Sequence, residues 1–353
     1  MNTTQTRRQA LYSLVSAAAL AALSPSALAQ SGKPVLNLFC WSEYVPEAVI
    51  KGFEKETGIK VNVENYDSNE KMLAKLLAGG GKYDLIQPSE YVVESLIKQD
   101  KLEPIDSSAI EGFKNLDPKA LNLPHDPGNK YSVPWMLGTV GIVVNTAKIK
   151  DDVKGVADVF SGKYKKRIVV LDDNREIVTW AFATQGIPIN DVTPENLAKV
   201  KPIIKGWLKQ VKAYDSDSPK TKFLKGDVDI GIVWSGEAAT LWKESKGSGK
   251  FKYVLPAEGA HQFVDSLCIP KGTPRKEAAL KFISYILRPE VSKLISEDFP
   301  YTNPNLEARK LLSKEDQENP ASYPPGDPKL ETFKDIGKAA RDIDKMMTDL
   351  RSQ

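Results

Sequence analysis

Four short stretches of this 353-residue chain set rings, hydroxyls and carboxylates side by side: Trp41-Ser42-Glu43-Tyr44, Ser89-Glu90-Tyr91, Asp172-Asp173-Asn174-Arg175-Glu176 and Trp234-Ser235-Gly236-Glu237. Two rings, a hydroxyl and a carboxylate within four positions make poor core but good lining for an organic cation. Ring faces attract cations, and carboxylates hold N–H groups by charge-assisted hydrogen bonds. Each stretch also has a plain structural use. A tryptophan at a strand end can plug the sheet edge, Ser89 suits a helix N-cap, and acids after position 171 can cap a helix and favour its N-terminus electrostatically. One such cluster is ordinary, whereas four together favour a binding cleft.

Catalysis has less to stand on. The only histidines are His125 and His261, and neither His-Glu-x-x-His nor paired Cys-x-x-Cys spacing occurs, which argues against zinc. Gly-x-Ser-x-Gly and Gly-x-Gly-x-x-Gly are absent, and Gly81-Lys82 lacks the rest of a phosphate loop. Asp173 with Glu176 remains a rival as a glycosidase pair, which would make the chain a secreted two-carboxylate carbohydrate-active enzyme. Rings and carboxylates without a nucleophile suit a ligand that carries positive charge along a flexible apolar chain. A polyamine fits that description.

The elements that must hold these stretches alternate. The apolar run 35–40 reads as a buried strand, followed by a helix with Val49 and Phe53 inward and Gly58 as its stop. Positions 59–63 read as a second strand, and Ser68 or Asn69 opens a helix through Met72 and Leu76 that Gly79-Gly80-Gly81 ends. Positions 83–86 form a third strand before the helix 92–97. A second alternation begins near Phe160, with strands at 168–171 and 228–233 and a helix at 177–184. The apolar runs 131–144, 263–270 and 300–305 read as segments crossing between domains, and 332–350 reads as a charged helix. All four clusters fall at carboxyl ends of strands, where open α/β sheets place ligands.

The length suits two domains. Arg7-Arg8, an apolar stretch over 10–23 and Ala27-Leu28-Ala29 read as a secretory signal peptide over 1–29, too short for a membrane span. Cleavage after Ala29 leaves 353 − 29 = 324 residues and removes two arginines, so the formal charge falls from +3 to +1. A near-neutral chain gives no support for nucleic-acid binding. Cys40 and Cys268 each lie in an apolar run and read as two separate buried thiols.

Taken in order, Trp41-Ser42-Glu43-Tyr44-Val45-Pro46, the run 53–61, Asp67-Ser68-Asn69-Glu70, Tyr83-Asp84-Leu85-Ile86, Leu171-Asp172-Asp173, Trp234-Ser235-Gly236, Asp265-Ser266-Leu267 and Leu287-Arg288-Pro289 resemble the periplasmic spermidine/putrescine-binding proteins of ABC importers. The resemblance covers nearly the whole mature chain. It implies a two-lobed α/β periplasmic binding protein fold, type II-like, each lobe a mainly parallel sheet flanked by helices and joined by crossing hinge segments. The lobes would be 33–138 plus 266–303 and 139–265 plus 304–353. It implies a periplasmic, monomeric receptor with no cofactor, no metal and no membrane span in the mature chain, which delivers a polyamine to a membrane ABC permease.

Carried over by position, Trp41, Tyr44, Tyr91, Trp234 and Tyr301 would be ring walls, and Ser42, Glu43 and Ser89 polar contacts from the first lobe. Asp173 and Glu176 would receive one amine and Asp265 another. Phe263 and Glu237 match the putrescine type, Phe333 stands where the spermidine type has glutamine, and Glu43, Tyr91 and Asp173-x-x-Glu176 are closer to the spermidine type. The pocket is mixed. The same fold with another organic cation or an amino acid as ligand, or a sensory subunit, are the alternatives.

Overall fold

The computed structural model describes residues 34–79 and 82–352. The export segment read at 1–29, and Gly80 and Gly81 of the expected helix stop, lie outside the described residues. From Val35 onward the described residues form one compact unit.

Ten strands share one curled sheet: β1 (Val35–Trp41), β2 (Lys60–Tyr66), β3 (Leu85–Ile86), β4 (Ser132–Asn145), β5 (Ile168–Val170), β6 (Val211–Tyr214), β7 (Ile230–Trp234), β8 (Phe251–Val254), β9 (Ala260–Cys268) and β10 (Leu330–Glu331). Their order is β2-β1-β3-β9-β4-β7-β5-β6, with β8 beside β4 and β10 beside β9. At one end β2, β1 and β3 run parallel, and at the other β6, β5 and β7 do so. The antiparallel pair β4–β9 joins the two groups.

Burial explains the strand sequences. Leu36, Leu38 and Cys40 of β1, all of β5 and all fourteen positions of β4 are buried, as parallel and central strands covered on both faces must be. β4 threads two separate cores. Val133, Trp135 and Met136 pack with Leu38, Phe53 and Phe282, whereas Val140, Ile142 and Val144 pack with Ile168, Phe182 and Ile204. Each fully buried side chain of this size contributes about 1.5–3 kcal/mol. Within the first of these stretches the β4–β9 register shifts at Pro134/Met136, a bulge beside a residue that has no N–H to donate.

The runs expected to cross between domains are β4, β9 and the segment of Thr302, whose backbone bridges Leu137. The expectation of a helix over 332–350 is corrected at its start. Leu330–Glu331 pairs beside β9, the Phe333 N–H donates to Glu90 Oε1 at 3.0 Å, and the helix spans Ala339–Arg351. Cys40 and Cys268 are buried free thiols, and burial pushes the Cys40 thiol up to about 12.

Candidate ligand-binding site

The mouths of β1, β3, β5 and β7 open on one cavity of about 680 Å³, its open mouth included. Trp41, Ser42, Glu43 and Tyr44 reach it from the end of β1, and Ser89 and Tyr91 from the end of β3. Asp173 and Glu176 follow β5, and Trp234 and Glu237 follow β7. Phe263 and Asp265 come from β9, and Tyr301 from the segment beside β4. The structure therefore brings all thirteen expected residues to one cavity. It adds Asp67, Asn69, Ser216, Asp217, His261 and Phe333.

Aromatic rings form its walls. Tyr44 and Tyr301 centroids lie 5.3 Å apart, Phe263 stands edge-on to Tyr301 at 5.8 Å, and Trp234 meets Phe263 at 5.5 Å and 88°. The two contacts of Phe263 are edge-to-face, the favourable geometry for ring quadrupoles, and the Tyr44–Tyr301 pair is tilted at 37°. Two glycines back the walls. A Cβ on Gly138 would sit 2.2 Å from the Phe263 ring, and one on Gly236 would sit 2.4 Å from the Tyr301 ring, so only glycine fits at either place.

Asp265 lies on the cavity floor and is buried. Its Oδ2 accepts from Tyr44 OH and its Oδ1 from Ser89 Oγ, each at 2.6 Å. Burial pushes its carboxyl up to about 7, partly offset by those two donors. Ser89 stands at the N-cap of the helix Glu90–Lys98, but its side chain makes no cap hydrogen bond. The plain capping role thus gives way to an Asn69-to-Ser89-to-Asp265 relay, in which Asn69 Nδ2 donates to Ser89 Oγ at 2.9 Å.

Asp173 does cap its helix, accepting from the Glu176 N–H at 3.0 Å, and also lines the cavity. Burial, with Glu176 and Glu70 nearby, pushes its carboxyl up to about 7. Glu176, expected to receive an amine, has both of its oxygens engaged by neighbouring side chains. His261 Nδ1 lies 2.5 Å from its Oε1, and the Trp180 indole N–H donates to its Oε2 at 3.2 Å. His261 Nε2 lies 3.3 Å from Oε1 of the fully buried Glu90.

At the other side Lys220 Nζ donates to Glu237 Oε1 at 2.7 Å and to Glu43 Oε2 at 2.8 Å, so both acids already have a cation. Burial raises the Glu237 carboxyl, and Lys220 only partly offsets it. Ser42 Oγ donates to Asp217 Oδ1 at 2.8 Å, tying the β1 mouth to the chain after β6.

A family model described as bacterial extracellular solute-binding protein matches residues 48–325. The chain belongs to this solute-binding family. Among its relatives is a spermidine/putrescine-binding periplasmic protein of Salmonella typhimurium, 38% identical over 93% of this chain and 94% of that one. The putrescine-binding periplasmic protein PotF of Escherichia coli is 33% identical over 90% of each chain. A solved structure titled as a putative spermidine/putrescine ABC transporter from Listeria monocytogenes superposes with a TM-score of 0.85 at 30% identity, covering 90% of this chain and 99% of that one.

As a solute-binding protein this chain has the two-lobed fold of its structural neighbours and works by binding, not by turnover, which sets aside the glycosidase reading. Among the described residues no helix of this solute-binding protein is long and apolar enough to cross a membrane. Two cations paired with the site's acids escaped the sequence. His261 shares one face of β9 with Phe263 and Asp265 by strand alternation, a signal that was present once β9 was drawn back to Ala260. Lys220 carries no such signal in a lysine-rich stretch.

Proposed function

We propose that this protein is a monomeric periplasmic receptor that closes on a polyamine, putrescine or spermidine, and delivers it to a membrane ABC permease. The observation that carries the reading is Asp265, a buried carboxylate fixed by Tyr44 and Ser89 and surrounded by aromatic rings. A buried acid with no cationic partner is costly and calls for one. An ammonium supplies it, and the rings cover the methylenes between charges.

The proposed lobes are 33–138 plus 266–303 and 139–265 plus 304–353, with export directed by 1–29. The threading of two cores by β4 supports a boundary inside that strand. The names of the relatives support the ligand class. The thirteen cavity residues are proposed as the ligand contacts, except that Glu43, Glu176 and Glu237 act through their resident cations.

Calorimetry on mature protein, unfolded and refolded to strip carried-over ligand, tests the reading against putrescine, cadaverine, spermidine and spermine. One site per chain with tight binding of at least one of them is the expected result. Absence of heat and of thermal shift with all four would mean another solute.

A further inference from the structure

We infer that His261 is a specificity-determining residue: a resident cation that takes Glu176 away from the ligand, so that the cavity favours a diamine over a longer triamine. The inference rests on the polyamine reading above.

β9 places His261, Phe263 and Asp265 on one face, all lining the cavity. At ~3.3 Å per residue, His261 and Asp265 stand ~13 Å apart along the strand, so the histidine marks one end of the site. There both Glu176 oxygens are engaged, one by His261 and one by Trp180. The His261 ring stacks on Phe333 with centroids 3.6 Å apart, and the Arg175 guanidinium carbon lies 3.9 Å from the same ring's centroid. An incoming ammonium therefore meets the His261 cation, with the Arg175 guanidinium close by on the Phe333 ring, in a site of low dielectric. Glu90 and Glu176 together keep the imidazole protonated up to about 9 despite its burial, so this cation persists at neutral pH.

The remaining acids give the count. Of the cavity carboxylates that are not solvent-exposed, Glu176 is held by His261 and Glu237 by Lys220. Asp265 and Asp173 have no ion pair among the described residues, which leaves two carboxylates for two ammonium groups. A third ammonium would find the remaining buried acids already taken.

The test is calorimetry of putrescine and spermidine on the full mature protein and on two variants. Wild type is expected to bind putrescine more tightly. His261→Gln is expected to raise the spermidine-to-putrescine affinity ratio at least tenfold, and adding Glu176→Gln is expected to return it. Should His261→Gln not unfold cooperatively, Glu90→Gln with His261→Gln removes one acid along with the cation and carries the same expectation. Tighter spermidine binding by wild type, or an unchanged ratio in the folded variant, overturns the inference while leaving the receptor reading intact. A flat wild-type titration with every polyamine overturns both.

Discussion

Ser89 and Asp265 are joined twice: their backbones form an antiparallel bridge, and Ser89 Oγ donates to Asp265 Oδ1 at 2.6 Å. The backbone pairing sets the distance and the hydroxyl sets the rotamer, so the acid is aimed before any ligand arrives. Preorganisation of this kind lowers the ordering cost of binding.

Asp265→Asn should therefore weaken polyamine binding at least a hundredfold, about 3 kcal/mol, because a buried ammonium loses its counter-charge. Ser42→Ala removes the exposed bond to Asp217 and one neutral polar contact, and should cost less than threefold, below ~1 kcal/mol. Calorimetry on both variants decides. Equal small losses would remove Asp265 as the anchor.

Binding should be pH-dependent through two acids. Asp265 and Asp173 titrate at about 7 in the empty protein, chiefly because burial disfavours their charged forms. Each must lose its proton to hold an ammonium, so affinity should fall as pH drops below about 7, by up to ~tenfold per unit per group. Calorimetry in buffers of different ionisation heat should show proton release near pH 6.5. The same raised values mean that the empty protein loses stability at these positions as pH rises from about 4 to about 7.

His261 gives a separate window. Burial alone would lower its pKa, but Glu176 and Glu90 raise it to about 9, above the ordinary value near 6.5. The folded state then holds a proton that the unfolded chain has released, so this stabilisation is complete below about 6.5 and is lost as pH rises through 9. Its size is at most about 3 kcal/mol. Denaturant unfolding of the unliganded protein between pH 7 and 10 should show the decline, and His261→Gln should flatten it.

Lys220→Ala should destabilise the protein by about 3 kcal/mol, since Glu237 would be left buried and unpaired. Glu237→Gln added to it should restore most of the loss. Thermal and urea unfolding of the single and double variants measure both. Independent, additive losses would mean that the pair is not coupled.

The strand mouths were legible because rings and acids interrupt apolar runs there, and all four opened on one cavity. The two crossing strands were legible as long apolar runs, the first with internal glycines at Gly138 and Gly141. Val211–Tyr214 and Phe251–Val254 were not, being four residues each in charged surroundings with too little alternation to stand out. The charged pattern from Thr332 to Lys338 predicts helix, yet the Phe333 N–H meets a buried acid more than two hundred positions away, a contact that no local pattern encodes. Glu176 shows the same limit at the site. Its spacing from Asp173 suggested a joint role, but its partner was settled by which face of β9 it meets.

The glycines behind the rings have a last consequence. Phe263 and Tyr301 rest on bare peptide at Gly138 and Gly236, so peptide planes fix how far apart the walls stand. The cross-section of the cavity behaves as a fixed gauge, set by backbone and not by side-chain rotamers. Its length is a different matter, decided by side chains such as His261 at one extremity. A lineage could thus retune which homologue of an amine series it carries by changing an end-stop, leaving the bore untouched.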